Sequence, residues 1–81
     1  MAIFVSYFSC STEETARRLV NAVLVAGLQP QLRAPRLPNQ PWQVVAPADL
    51  EPTAENLADL QQAMIEAAYR AGGRFDRCES A

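Results

Sequence analysis

Residues 2–8, with the sequence AIFVSYF, decide the fold of this 81-residue chain. The stretch is dense in β-branched and aromatic residues, which favour strands. Its nearly continuous apolarity is typical of a strand in the middle of a sheet. Side chains alternate along a strand, so the two faces carry two different sets. One set is Ile3, Val5 and Tyr7, and the other is Phe4, Ser6 and Phe8.

Two segments outside this strand repeat apolar residues at helical spacing. The first follows Ser11, which is predicted to form a capping box with Glu14, and it ends at Gly27. The second begins after Thr53 as its N-cap and ends at Gly72-Gly73. Its predicted inward face consists of Leu57, Leu60, Met64, Ala67, Ala68 and Ala71.

Three shorter strands are predicted around these helices. Residues 28–34 form one at the edge of the sheet, because Pro30 has no N–H to donate. Residues 35–41 contain three prolines and are predicted to be a loop. Trp42–Ala46 is the next strand, which Pro47 is expected to end, and Arg74–Cys78 is the last, with Phe75 pointing inward.

The predicted order of elements is therefore β-α-β-β-α-β. With right-handed crossovers, this order gives an α+β, ferredoxin-like two-layer sandwich. A four-stranded antiparallel sheet carries both helices on one face, and the first strand lies near its centre. The chain is too short for a second core, so residues 1–81 are predicted to form a single domain.

Composition excludes several classes of function. The formal net charge of −2 gives no bulk attraction for nucleic acid or acidic membranes. There is no run of about 18 apolar residues and no signal-peptide pattern, so a cytoplasmic protein is expected. The chain has no histidine, which removes the commonest general base and metal ligand. No catalytic residue, metal site or cofactor is predicted, and we expect a protein that is not an enzyme.

The two cysteines are the remaining reactive side chains. Cys10 precedes a helix, and a helix N-terminus can lower the pKa of a thiol. A nucleophile there needs a nearby base, so the interpretation as an inert residue is favoured. Cys10 and Cys78 are expected to lie on the order of 15–20 Å apart in this topology, too far for a disulfide.

Two surfaces are candidates for binding a partner. Residues 49–66 contain five acidic residues and no basic one, and Glu55, Asp59 and Glu66 fall within roughly 40° on the second helix. This acidic stripe either docks an Arg/Lys-rich segment or is simply a solvated helix face. The second candidate is the sheet face away from the helices, around Tyr7 and Phe8. Such an apolar face marks an interface with a second copy or with another protein.

The order of several short motifs resembles one known family. The strand ending in Tyr7-Phe8 is followed by Trp42-x-Val44-x-Ala46, by Pro52-Thr53 opening a helix, and by Gly72-Gly73-x-Phe75-Asp76. This order is similar to the regulator of ribonuclease activity B family, the inhibitor-B-type proteins of ribonuclease E. The chain departs from the family after Asp76, where the expected Gly-Trp-Glu ending is replaced, and it lacks the extended acidic portions of the best-known members.

The resemblance implies a ferredoxin-like domain in which Trp42, Gly72, Gly73, Phe75 and Asp76 are structural. It also implies a regulator that masks a basic segment of ribonuclease E or of another basic protein. A small immunity protein or antitoxin is the alternative within the binding class. A small dimeric enzyme or ligand-binding subunit on the same fold is the alternative from a different class.

Overall fold

Four strands and two helices alternate in the predicted order in a computed structural model that describes residues Met1–Ala81. The elements are β1 (Ala2–Cys10), α1 (Glu13–Val25), β2 (Gln31–Arg33), β3 (Trp42–Leu50), α2 (Ala54–Ala71) and β4 (Arg74–Ser80). The strands lie in the order β2-β3-β1-β4, and every neighbouring pair is antiparallel. The ferredoxin-like prediction is confirmed, and so is the central position of the first strand.

The register of β1 determines which of its two apolar faces is covered by the helices. Ser6 lies opposite Ala46 and Cys78, and Phe8 lies opposite Val44 and Phe75. Phe8 is 1% exposed, and its ring meets that of Phe75 edge to face at a centroid distance of 5.6 Å. The set that contains Ser6 and Phe8 is therefore the inward one. The buried core consists of Phe8, Cys10, Ala16, Leu19, Val23, Val44, Ala46, Ala48, Leu60, Met64, Ala67, Ala68 and Ala71.

Strand β3 runs through Pro47 to Leu50, so the expectation that Pro47 ends it is wrong. The physical reason is the shortness of β2, which pairs with β3 only from Gln43 to Val45. Beyond Val45, one side of β3 has no strand partner, and a proline there removes no ladder hydrogen bond. The longer β3 carries Asp49 within the sheet, opposite Ile3, rather than in a loop before α2.

The helix ends follow the sequence signals closely. Helix α1 is capped by Thr12, whose Oγ1 accepts a hydrogen bond from the Thr15 N–H at 3.1 Å, so the predicted Ser11 cap is one residue early. Thr53 caps α2 as predicted. Gly27 and Gly72 both adopt positive φ, of 93° and 80°, which glycine accepts without steric strain.

Candidate protein-binding surface

Three carboxylates form one exposed stripe on α2, as the helical spacing predicted. Glu55, Asp59 and Glu66 are all exposed, whereas Leu60 and Met64 on the other side of the helix are buried. We call Glu55, Asp59 and Glu66 the acidic stripe. Glu55 lies in the first turn, where a negative charge interacts favourably with the helix dipole.

The acidic stripe has no internal counter-ion. The four salt bridges of the chain are Glu13–Arg17 at 2.7 Å, Glu14–Arg18 at 2.6 Å, Asp76–Arg74 at 2.7 Å and Glu79–Arg77 at 2.6 Å. The five carboxylates without such a partner are Asp49, Glu51, Glu55, Asp59 and Glu66, and all of them lie in the stretch that lacks basic residues. Three of these five charges form the acidic stripe on α2, whereas Asp49 lies on the sheet face away from the helices and Glu51 lies between β3 and α2.

Tyr7 lies on the sheet face away from the helices, which we call the open face. It is half-buried because the guanidinium carbon of Arg77 lies 4.1 Å from the centre of its ring, a cation–π arrangement. Val45, also on the open face, is only 7% exposed. Phe8 points the opposite way into the core, so the expectation that Phe8 contacts a partner is wrong. Alternation along β1 places Tyr7 and Phe8 on opposite faces.

A polar network ties β4 to the end of β1. Asp76 has no partner on β1, because the register shifts between Tyr7 and Phe8, and this bulge turns its carboxylate toward Ser9. The Ser9 hydroxyl and the Arg74 Nε both donate to Asp76, the latter at 2.7 Å. Burial alone would raise the pKa of Asp76, but the bonds from Ser9 and Arg74 and the charges of Arg74 and Arg77 outweigh it and hold that pKa below its ordinary value. The carboxylate therefore stays ionised and is a weak base.

Cys10 is placed beside this network but inside the core. Burial, and then the negative charge of Asp76, raise the pKa of the Cys10 thiol, which is opposite to the lowering that a helix N-terminus can produce. The thiol is protonated at neutral pH and is a poor nucleophile. Cys10 and Cys78 are both free. Cys78 lies opposite Ser6, four residues from Cys10 along β1, which corresponds to roughly 13 Å.

A small cleft opens next to Cys10, and no sequence pattern indicated it. Its volume is about 320 Å³, and its lining comes from the end of β1, the residue before β3 and the turn after α2. The lining residues are Ser9, Cys10, Ser11, Pro41, Gly72, Gly73 and Arg74. The groups that face it are hydroxyls, a protonated thiol and an arginine that is already paired with Asp76.

The other structural findings concern metals and membranes. No group of three or more His, Cys, Asp or Glu side chains is placed to hold a metal ion. Neither helix is long and apolar enough to span a membrane.

No protein-family model matches the chain, and no curated protein is detectably similar to it.

The residues of the family-like motif all have structural surroundings. Trp42 packs half-buried against the core. Gly72 takes the left-handed conformation that ends α2, and Gly73 approaches Cys10 so closely that a Cβ there would lie 2.9 Å from the Cys10 Sγ. Phe75 packs on Phe8, and Asp76 holds the bulge of β4. These residues shape the domain, so a binding function has to be sought in other side chains.

The sequence analysis did not indicate two features of the surface. Arg33 and Arg36 line a cleft of about 790 Å³ with Gln40 and Gln43, and neither arginine is in an ion pair. Arg77, which covers Tyr7, was not singled out either. The arginines were scattered along the sequence without periodicity, so only the strand pairing reveals which of them share a face.

Proposed function

We propose that this chain is a non-enzymatic, protein-binding regulator that masks a cationic segment of its partner. The observation that carries the proposal is the concentration of unpaired carboxylates between residues 49 and 66, with the acidic stripe on the solvent side of α2. No internal salt bridge has to break before these carboxylates bind arginine or lysine. The surface is available for a charge-complementary partner.

The energetics favour a segment that makes several contacts at once. A single exposed ion pair contributes only about 0.2–1 kcal/mol, so one carboxylate does not hold a partner. Glu55 and Glu66 are 11 residues apart on α2, a rise of roughly 16 Å. An extended chain covers that length with about five residues. A short, arginine- or lysine-rich and unstructured segment therefore fits the acidic stripe.

The order of the motifs supports the regulator class. The chain is similar in that order to the inhibitor B proteins of ribonuclease E, so ribonuclease E is the first partner to test. The free cysteines of this chain, Cys10 and Cys78, suit a reducing compartment, which supports the cytoplasm as the location of the protein.

The test uses an unstructured, arginine-rich peptide with a fluorescent label as a defined probe, and binding is measured by anisotropy at low and high salt. The variant is Glu55→Gln, Asp59→Asn and Glu66→Gln in one chain. We expect the affinity of this variant for the peptide to fall several-fold at low salt and to differ little from the parent at high salt, because exposed charges are screened. Its melting temperature should stay close to that of the parent, since the apolar face of α2 is untouched.

The matched control removes the same number of charges elsewhere. Glu13→Gln, Glu14→Gln and Glu79→Gln neutralise three carboxylates that are paired with arginines in the parent. Equal weakening by the control would mean that only net charge matters, and the proposal would be rejected. With ribonuclease E itself, the parent should slow RNA cleavage and the acidic-stripe variant should do so less.

A further inference from the structure

The open face of the sheet carries apolar residues in the middle of β1 and β3, flanked on β4 by the Arg77–Glu79 ion pair, and further charges at its ends. Val5 and Tyr7 of β1 lie beside Pro47 and Val45 of β3, and these four residues form its centre. Both helices pack on the opposite face, so neither helix covers this centre. Pro47 is exposed, Val5 and Tyr7 are partly exposed, and Val45 is 7% exposed. An apolar centre within a charged border is typical of a protein interface.

Apart from the Arg77–Glu79 pair, which lies opposite Tyr7 and Val5, the charges on this face are divided between the two ends of the strands. Arg33 lies opposite Gln43, and Arg74 lies opposite Ser9, at the end where β1 finishes. Asp49 lies opposite Ile3 at the other end, six residues back along β1, and the two ends are roughly 20 Å apart. Arg33 and Asp49 are both exposed and without an ion-pair partner in the chain.

The shape of the arginine end suits an incoming carboxylate. The cleft of about 790 Å³ described above opens there, and Arg33 and Arg36 are its only charged lining residues. At the other end of β3, Glu51 follows Asp49 and is also exposed and unpaired. One strand thus connects a cationic cleft at its beginning to two free carboxylates at its end.

We propose that the open face binds a second copy of this chain, open face to open face, with the strands of the two copies antiparallel. The two-fold axis lies between the faces and crosses β1 between Val5 and Tyr7. Rotation about this axis brings Asp49 of each copy over Gln43 and beside Arg33 of the other. It also places Tyr7 of each copy, with Arg77 lying over its ring, above Val5 of the other.

Complementary charges favour this arrangement over the packing in which the two-fold axis is parallel to the strands. An axis parallel to the strands would place the arginine end of one copy over the arginine end of the other. The antiparallel packing instead pairs each cationic cleft with the free carboxylates of the second copy, and both contacts are identical by symmetry. Of these two packings, only the antiparallel one makes the charges of the surface complementary to themselves.

The dimensions of the sheet limit the area that the dimer can bury. Strands β1 and β3 are about 26 Å long and β4 is about 20 Å long, and with the short β2 and a spacing of about 4.8 Å they present roughly 400 Å² per copy. Two copies then bury about 800 Å², which is less than the roughly 1,200–2,000 Å² of stable specific interfaces and in the range of weak, transient ones. The dimer is therefore weak, dependent on protein concentration and sensitive to salt.

The test is sedimentation equilibrium from about 10 μM to 1 mM protein, the range that brackets a weak dimer, with the cysteines kept reduced. Arg33→Glu and Asp49→Arg each replace an attractive contact by a repulsive one, twice per dimer, and should weaken association roughly 5- to 30-fold. Arg33→Glu and Asp49→Arg together in one chain exchange the charges and should restore association to near the parent value. Circular dichroism checks that every variant is folded, which we expect because both positions are exposed.

The controls are Arg70→Glu and Glu55→Arg, which make the same changes of charge on α2 in the other layer. Both control variants should leave dimerisation unchanged. Glu55→Arg should weaken binding of the cationic peptide, so the dimer and the proposed function can be rejected independently of each other. A parent protein that is monomeric at 1 mM would overturn the proposal. It would also be overturned if the single variants had no effect, if the combined variant were weaker than either single one, or if the controls weakened the dimer equally.

Discussion

Gly73 and Cys10 are in such close contact that a single added methyl group should destabilise the domain. An ideal Cβ on Gly73 would lie 2.9 Å from the Cys10 Sγ and 3.4 Å from the Leu19 Cδ2. Gly73 does not have positive φ, so its backbone accepts alanine and the steric contact alone is tested. We expect Gly73→Ala to lower the free energy of unfolding by about 1–3 kcal/mol, as overpacking of a buried contact does. An 81-residue domain is stable by only about 4–12 kcal/mol in total.

The clash predicts a specific rescue. Cys10→Ala removes the sulfur that the new methyl group meets, at a cost of about 1 kcal/mol for the lost buried atom. In that background, Gly73→Ala should then cost little. Urea unfolding of the parent, the two single variants and the double variant gives a coupling free energy, which we expect to be about 1–2 kcal/mol in favour of the double variant.

Gly72→Ala is the matched control for this cycle. A Cβ on Gly72 meets nothing within 4 Å, but its φ of 80° is strained for alanine. Gly72→Ala should therefore cost about 1 kcal/mol through the backbone, and Cys10→Ala should not relieve that loss. The steric reasoning is refuted if Gly73→Ala is as stable as the parent, or if its effect adds to that of Cys10→Ala without coupling.

Three further predictions concern stability. Ser6→Ala should leave the free energy of unfolding unchanged or raise it by up to about 1 kcal/mol, because the Ser6 Oγ is buried without a hydrogen-bond partner; a clear loss in urea unfolding would contradict this. Trp42→Ala should lower the free energy of unfolding by about 2 kcal/mol, which is less than the roughly 3–5 kcal/mol typical of a fully buried aromatic residue, because Trp42 is half-buried. A melting temperature equal to that of the parent would show that Trp42 is peripheral. Because the pKa of Asp76 is lowered in the folded protein, its carboxylate stabilises the fold at pH values above the ordinary aspartate pKa of about 3.9. This stabilisation is lost as the pH falls through the pKa of Asp76 in the folded protein. The Asp76→Asn variant should therefore be less stable than the parent at neutral pH, and this difference in the free energy of unfolding should shrink as the pH is lowered below about 4. A difference that does not change with pH would exclude this stabilising role of the Asp76 carboxylate.

Local patterns were sufficient for the elements because they act over a few residues. Thr53, Gly27 and Gly72 mark helix ends through their own side-chain and backbone chemistry, and the structure places all three as predicted. The spacing of Leu60 and Met64 fixed the inward side of α2, and with it the exposed position of the acidic stripe. The element order then left the ferredoxin-like topology as the simplest sheet with right-handed connections.

The limits of the strands depended on partners distant in sequence. Pro47 ends a strand only where a neighbouring strand needs its N–H, and the shortness of β2 removes that need. The bulge at Asp76, which joins it to Ser9 and Arg74, likewise exists only after β4 has paired with β1.

The sequence by itself determined that residues 2–8 are a central strand with two apolar faces, but not which face is buried. Ile3, Val5 and Tyr7 are as apolar as Phe4, Ser6 and Phe8, so alternation alone gives no preference. The tertiary structure decided it, because Phe8 alone meets Phe75 and Val44 under the helices, while Tyr7 meets Arg77 on the open face. A one-residue change of register would exchange the two sets, and only packing against the other strands and helices prevents it.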